Sequence, residues 1–267
     1  MSKHPVEPGT QERPWLALVA LLLGVSLIVL EGSIVNVLIP TIVQDLGIDR
    51  TSVLWVTSIY SLVFAALLIT FGVLSDRIGR KRMFMIGTAV FIAFNLLAGL
   101  AQSGDMLILA RAGEAVGGAM MLPTSMAIIN VNFRGPMRAA AFGLWGAVFG
   151  GMAAFGPLLG GWLADVASWR WAFFINVPLG LISLVMVWFV IVESKGEDRR
   201  RLDVGGVIMS SLGLGLVVFA LIEGQALGWW TLITTWDLGP ISLQPGSLSP
   251  VPVALGIGAV LLMAFVA

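Results

Sequence analysis

The strongest constraint on this chain is a series of eight apolar runs joined by short polar connections. They lie at approximately Pro14–Pro40, Ser52–Leu74, Arg82–Ala101, Met106–Asn130, Ala139–Ala164, Phe174–Val192, Val204–Ile222 and Val251–Ala267. A helix crossing the ~30 Å hydrocarbon layer needs about 20 apolar residues, which is the length of these runs. Strands are poor rivals, because a barrel strand has about ten residues of alternating polarity. The composition excludes a water-facing fold: 58% of residues are hydrophobic and 11% charged, against about 25% charged in a soluble domain. The expected fold class is an all-α integral membrane protein with about eight transmembrane helices. A soluble enzyme, a nucleic-acid binder and a disordered chain are excluded on the same ground.

The first run is too long for a signal-peptide core and has no small-residue cleavage site after it, so it is the first span. Fifteen Lys/Arg balance fifteen Asp/Glu, but their distribution among loops is uneven. Lys3, Arg13, Arg77, Arg80, Lys81, Arg82, Arg134, Arg138, Lys195, Arg199, Arg200 and Arg201 fall on one side, and only Arg50 and Arg170 on the other. By the positive-inside rule the N-terminus is cytoplasmic. Trp162, Trp169, Trp171, Trp229, Trp230 and Trp236 gather at the opposite face, as an interfacial belt would. The resulting organisation is a cytoplasmic tail over 1–13, a six-helix bundle over 14–193, a charged cytoplasmic linker over 194–203, and two further helices with an outer loop over 204–267. The chain has no cysteine, and its one histidine, His4, sits in the polar tail. With no HExxH, P-loop or dinucleotide fingerprint, no catalytic residue, metal site or cofactor is expected.

Three ionisable residues fall inside spans: Glu31 in the first, Arg111 and Glu114 in the fourth. Each costs at least ~2.5–3.5 kcal/mol at a helix centre, so such groups face a bundle interior or a water-filled cavity. At 1.5 Å per residue, Glu31 lies about 13 Å from the outer end of its span, and Arg111 and Glu114 about 8 and 12 Å from theirs. The three therefore share one depth, and the i, i+3 spacing puts Arg111 and Glu114 on one helical face. One reading is a static ion pair that locks helices together. The other is a proton-exchanging carboxylate beside a guanidinium. Asn36, Ser33 and Pro40 form a stripe roughly opposite Glu31, giving the first helix two distinct faces. Asn95 and Asn176 are expected to be hydrogen-bond partners between helices. The fifth span carries Gly143, Gly146, Gly150, Gly151, Gly156, Gly160 and Gly161 with Pro157, and its GxxxG pairs allow close backbone approach.

These residues also carry a resemblance. Gly72-Val73-Leu74-Ser75-Asp76-Arg77-Ile78-Gly79-Arg80-Lys81 resembles the signature between helices 2 and 3 of the major facilitator superfamily. Leu30–Pro40 is similar to the first-helix motif of its fourteen-helix drug:proton antiporter branch, the EmrB/QacA type. Gly156-Pro157-Leu158-Leu159-Gly160-Gly161 matches the core of the fifth-helix antiporter motif, and Trp169–Gly180 resembles the segment leading into helix 6 of that branch. The resemblance implies an N-terminal major-facilitator bundle with two further helices. It places Gly72, Asp76, Arg77, Gly79 and Arg80 at a cytoplasmic gate, and Gly156, Pro157, Gly160 and Gly161 in a helix-packing motif. Glu31, Asn36, Arg111 and Glu114 would belong to a proton and substrate cavity.

Two departures stand out. The family usually has Asp where this chain has Glu31, and a neutral amide where it has Glu114. Glu114 either adds a proton site or traps Arg111 in a salt bridge, and the first reading is preferred. The last run ends without a basic anchor, and the chain is read as truncated, since the resembled branch has six more helices. The expected function is proton-coupled export of small lipophilic or cationic drugs or metabolites across a bacterial inner membrane, driven by the proton motive force. Expected partners are the bilayer, protons, a small-molecule substrate, and a C-terminal half or second copy, but no nucleic acid. The alternative is a non-transporting half that retains only the scaffold.

Overall fold

The computed structural model describes residues 13–196, 203–238 and 241–266. Lys3 and His4 of the tail, and Arg199, Arg200 and Arg201 of the linker, lie outside the described residues. Every apolar run forms helix. The helices are α1 (Pro14–Leu46), α2 (Arg50–Ile78), α3 (Arg80–Gly99), α4 (Gly104–Asn132), α5 (Gly135–Val166), α6 (Trp171–Phe174), α7 (Asn176–Val190), α8 (Val204–Leu227) and α9 (Pro250–Val266). Among the described residues seven spans are long and apolar enough to cross a membrane, with α6 and α7 counted together as Trp171–Val190. α9 is an eighth, shorter apolar helix of 17 residues. The chain is an all-α, multi-pass membrane protein.

The helix ends follow local chemistry. Asp49 caps α2 by accepting the Ser52 N–H at 2.9 Å, and hydrogen bonding from Ser52 holds its carboxyl below the usual carboxylate range. Ser103 and Asp203 cap α4 and α8 in the same way. The first span does not stop near Pro40 as expected. A proline forfeits only one amide hydrogen bond, and α1 runs through Pro40 to Gly47, whose left-handed conformation (φ 61°) closes it with a 3.0 Å bond to the Val43 carbonyl. α5 likewise continues through Pro157.

The chain divides into two compact units, Met1–Tyr60 with Phe71–Arg199, and Ser61–Thr70 with Arg200–Ala267. In the first, an apolar core gathers Ile34, Leu38 and Ile42 of α1 with Val56, Ala98, Leu107 and Phe173. At this end Asp45 of α1 accepts the Trp169 indole N–H at 3.0 Å and pairs with Arg170. Arg170 also donates to the Ala101 carbonyl at 3.0 Å, which ties the ends of α1 and α3 to the α5–α6 connection. Trp169 differs from the other tryptophans expected in the belt: it is buried, although the Asp45 carboxylate that accepts its indole N–H is itself exposed. Trp162, Trp171, Trp229 and Trp230 are exposed. In the second unit α8 packs on α9, where a Cβ added to Gly258 would lie 2.9 Å from the Gly213 carbonyl oxygen. Thr70 and Ser211 share a hydrogen bond there. The expected outer loop contains a short antiparallel pair, β1 (Trp236–Leu238) and β2 (Ile241–Leu243), with Trp236 opposite Leu243.

The glycines of α5 divide into two sets. Gly156 and Gly160 are buried against α1, where a Cβ on Gly156 would collide with the Ser33 hydroxyl and one on Gly160 would lie 2.8 Å from Ile34 Cγ1. Gly143, Gly146, Gly150, Gly151 and Gly161 have nothing within 4 Å of an added Cβ, and Pro157 is exposed. Gly146–Gly150 therefore makes no close approach within this chain, and the packing motif reduces to Gly156 and Gly160, because only they face α1. Replacing Gly156 by Leu overpacks this contact and is expected to cost about 1–3 kcal/mol. Gly161→Ala, in open space on a helix, is expected not to destabilise. Thermal unfolding in detergent, followed by tryptophan fluorescence, compares the two.

Candidate functional site

In the interior of the first unit one polar chain links α1, α3, α4 and α7 and holds its buried charges. Its centre is Arg111, 2% exposed, whose Nη1 lies 2.7 Å from Glu31 Oε1 and 2.9 Å from Glu114 Oε2; both carboxylates are fully buried. Glu114 reaches the guanidinium from one helical turn along α4, while Glu31 comes from α1. Arg111 Nε donates to the Val56 carbonyl of α2 at 3.3 Å, and its guanidinium carbon lies 4.5 Å from the centre of the Tyr60 ring. Tyr60 donates its hydroxyl proton to the Ile28 carbonyl at 3.3 Å. A cation this deep needs counter-charge and hydrogen bonds, and an aromatic face supplies more of the same attraction.

The second oxygen of Glu31 accepts from Asn176 Nδ2 of α7 at 2.6 Å. Asn176 Nδ2 also donates to Asn95 Oδ1 of α3 at 2.7 Å, and Asn95 Nδ2 donates to the Phe91 carbonyl at 2.9 Å. Glu31, Arg111 and Glu114 thus meet in one cluster. Asn36 does not join them: it is exposed, and its amide donates to the Gly32 carbonyl of its own helix at 3.2 Å. The 100° step per residue turns it away from Glu31. Ser33 of that stripe faces α5, so the first-helix and fifth-helix motifs pack on each other. Asn95 and Asn176 are the interhelical partners expected of them, but Asn176 also bonds the key carboxylate. That placement had no sequence signal beyond a buried amide.

The α2–α3 turn forms a second polar site. Asp76 pairs with Arg80 at 2.7 Å, and the Asp76 carbonyl accepts the Gly196 N–H at 2.8 Å. Arg77 lies in the last turn of α2. A Cβ added to Gly72 would lie in ordinary contact with Pro123, at 3.6 Å. Gly79 joins the two helices with φ 119°, a conformation L side chains rarely adopt. As the N-cap of α3 it has no side chain to accept the first amides. The carboxylate of Glu193, just beyond α7, does so instead, accepting the N–H groups of Lys81 at 3.0 Å and Arg82 at 3.1 Å. α3 opens with Arg80, Lys81 and Arg82, three cations at the positive end of a helix dipole, and an anion there is worth the most. Lys81 Nζ donates to the Trp188 carbonyl at 2.7 Å, adding a second tie to α7. Glu193 was missed in the sequence. An uncapped, cationic helix start is the signal that an acceptor must come from elsewhere.

Glu31, Arg111 and Glu114 thus form a buried acid–arginine–acid cluster within a multi-pass helical bundle. The chain belongs to the Major Facilitator Superfamily, whose profile matches residues 21–267. It is 38% identical over 234 residues to the puromycin resistance protein of Streptomyces alboniger, covering 86% of this chain and 46% of that protein. It is 34% identical to the tetracenomycin C resistance and export protein of Streptomyces glaucescens, over 86% of this chain and 43% of that one. The chain therefore spans less than half the length of these two relatives. Among solved structures, a bacterial homologue of the human lysosomal transporter Spinster, inward-facing and occupied, superposes with a TM-score of 0.61 at 21% identity, over 82% of this chain and 54% of that one. That likeness shows the fold.

Two stability measurements follow from this geometry. Arg111→Ala leaves the buried carboxyl groups of Glu31 and Glu114 without their cation and is expected to cost about 3–5 kcal/mol, as for other broken buried pairs. Glu193→Ala removes the α3 cap and should cost about 0.5–2 kcal/mol. Unfolding in detergent ranks the two, and an Arg111→Ala variant as stable as the parent would contradict the pairing.

Proposed function

We propose that this chain is the N-terminal part of a drug:proton antiporter of the fourteen-helix EmrB/QacA branch. It exports small lipophilic or cationic compounds across a bacterial inner membrane, with its N-terminus in the cytoplasm, in exchange for protons. The observation that carries this reading is Arg111 held between two buried carboxylates. Ionised Glu31 ties α1 to Arg111 on α4 and to Asn176 on α7. A proton on Glu31 removes the charge that holds both, so protonation loosens three helices together. The relatives named for antibiotic resistance and export support the substrate class, and twelve cationic residues on one side support the orientation.

Alternating access requires a second bundle rocking against the first around a midplane site. A C-terminal half, continuous or separate, or a second copy of this chain fills that role. The energy source is the proton gradient, with no bound cofactor. The cytoplasmic turn at Asp76, Arg77 and Arg80 acts as the gate that pairs in one state and releases in the other.

The test is proton flux in proteoliposomes under an imposed pH gradient, with tetraphenylphosphonium as the lipophilic cation. The expected result is cation-dependent proton movement, abolished by Glu31→Gln. Absence of that flux, both for the chain alone and with a second bundle supplied, leaves the non-transporting scaffold.

A further inference from the structure

The hydrogen bonds around Arg111 also locate a proton. Both oxygens of Glu31 face N–H donors, Arg111 Nη1 at 2.7 Å and Asn176 Nδ2 at 2.6 Å. Both oxygens are therefore placed as acceptors, an arrangement that an ionised Glu31 satisfies without turning an O–H toward either donor. Reversing the Asn176 amide does not change this. Its Nδ2 sits among three acceptors, Glu31 Oε2, Asn95 Oδ1 and, at 3.4 Å, the Ala172 carbonyl. Asn95 is oriented in turn by its bond to the Phe91 carbonyl.

Glu114 differs. Its Oε2 accepts from Arg111, but its Oε1 is buried with no partner, and so is Asn176 Oδ1. With both glutamates ionised, the cluster holds one positive and two negative charges and two orphaned acceptors. A proton on Glu114 Oε1 brings the net charge of the cluster to zero and removes one orphaned acceptor. The other groups facing the site are Tyr60 from α2, whose hydroxyl is spent on the Ile28 carbonyl, Asn95 from α3 and Asn176 from α7. None of them carries a compensating charge.

We infer that Glu114 is the protonated member of the cluster and a second proton carrier beside Glu31. What the proton does rests on the antiport reading; where it sits does not. Loss of the proton from Glu114 Oε1 takes the cluster to −1, and gain of one by Glu31 takes it to +1. Either charge is costly inside an apolar bundle. Each transfer therefore waits for water or a counter-charge to reach the cluster, which couples protonation to opening. The carboxyl at position 114 gives the site a capacity of two protons.

Infrared spectroscopy of the chain in lipid bilayers tests this. All samples carry Glu223→Gln, since among the described residues Glu223 is the other buried carboxyl within a span. At neutral pH we expect a carboxylic-acid C=O band that shifts in D2O. Glu114→Gln should abolish it, Glu114→Asp should move it, and Glu31→Asp should leave its position unchanged. No such band without further substitution, or a band displaced only by Glu31→Asp, overturns the assignment. The aspartate variants keep the carboxyl, and helical circular dichroism checks their fold. The band is read without transport, so a failed flux assay with the band intact removes the antiport reading and leaves the proton on Glu114.

Discussion

The first unit depends on one guanidinium. Arg111 is almost wholly removed from solvent, and a lone cation at that depth would not be tolerated in a membrane bundle. Its neutralisation recruits Glu31 from α1 and Glu114 from its own helix, and Glu31 recruits Asn176 from α7 and through it Asn95 from α3. Between helices that gain little from hydrophobic association in lipid, such polar contacts and close small-residue packing supply the specificity. The same contacts place the titratable Glu31 and Glu114 in the chain of side chains that joins four helices.

The ends of the bundle are braced separately from its middle. At one end Asp45, Trp169 and Arg170 tie α1, α3 and the α5–α6 connection. At the other, Glu193 caps α3 and the Asp76–Arg80 pair lies beside it. Gly156 and Gly160 bring α5 onto Ser33 and Ile34 of α1, so two motifs far apart in sequence form one contact. Among the described residues, an added Cβ at Gly143, Gly146, Gly150, Gly151 or Gly161 of α5 would meet nothing within 4 Å.

Much of this was legible beforehand, for identifiable reasons. Apolar run length reports helices directly, because in lipid every backbone amide must be bonded within its own segment. Depth counted at a fixed rise per residue put Glu31, Arg111 and Glu114 near one level, although α1 runs to Leu46, past the Pro40 end from which that depth was counted. What escaped were contacts between segments. Asn36 was no surprise of this kind: its phase opposite Glu31 was legible in the sequence, and it lies outside the cluster. Trp169 looked like its neighbours in an interfacial belt, but its ring is buried in the apolar cluster with Ile34, Leu38 and Phe173. Pro40 looked like a stop, and the helix lost one hydrogen bond there without ending.

By itself the sequence determined the class, the number and position of the apolar helices, the uneven distribution of positive charge and the three buried ionisable residues. All of these follow from properties of single segments: length, charge and helical phase. Tertiary structure alone decided that Glu31 and Glu114 share one arginine, that Asn176 occupies the second oxygen of Glu31, and that Glu193 caps a helix more than a hundred residues away. Those outcomes depend on distances between helices, and the hydrogen-bond partners of a buried carboxylate exist only once the helices around it are packed.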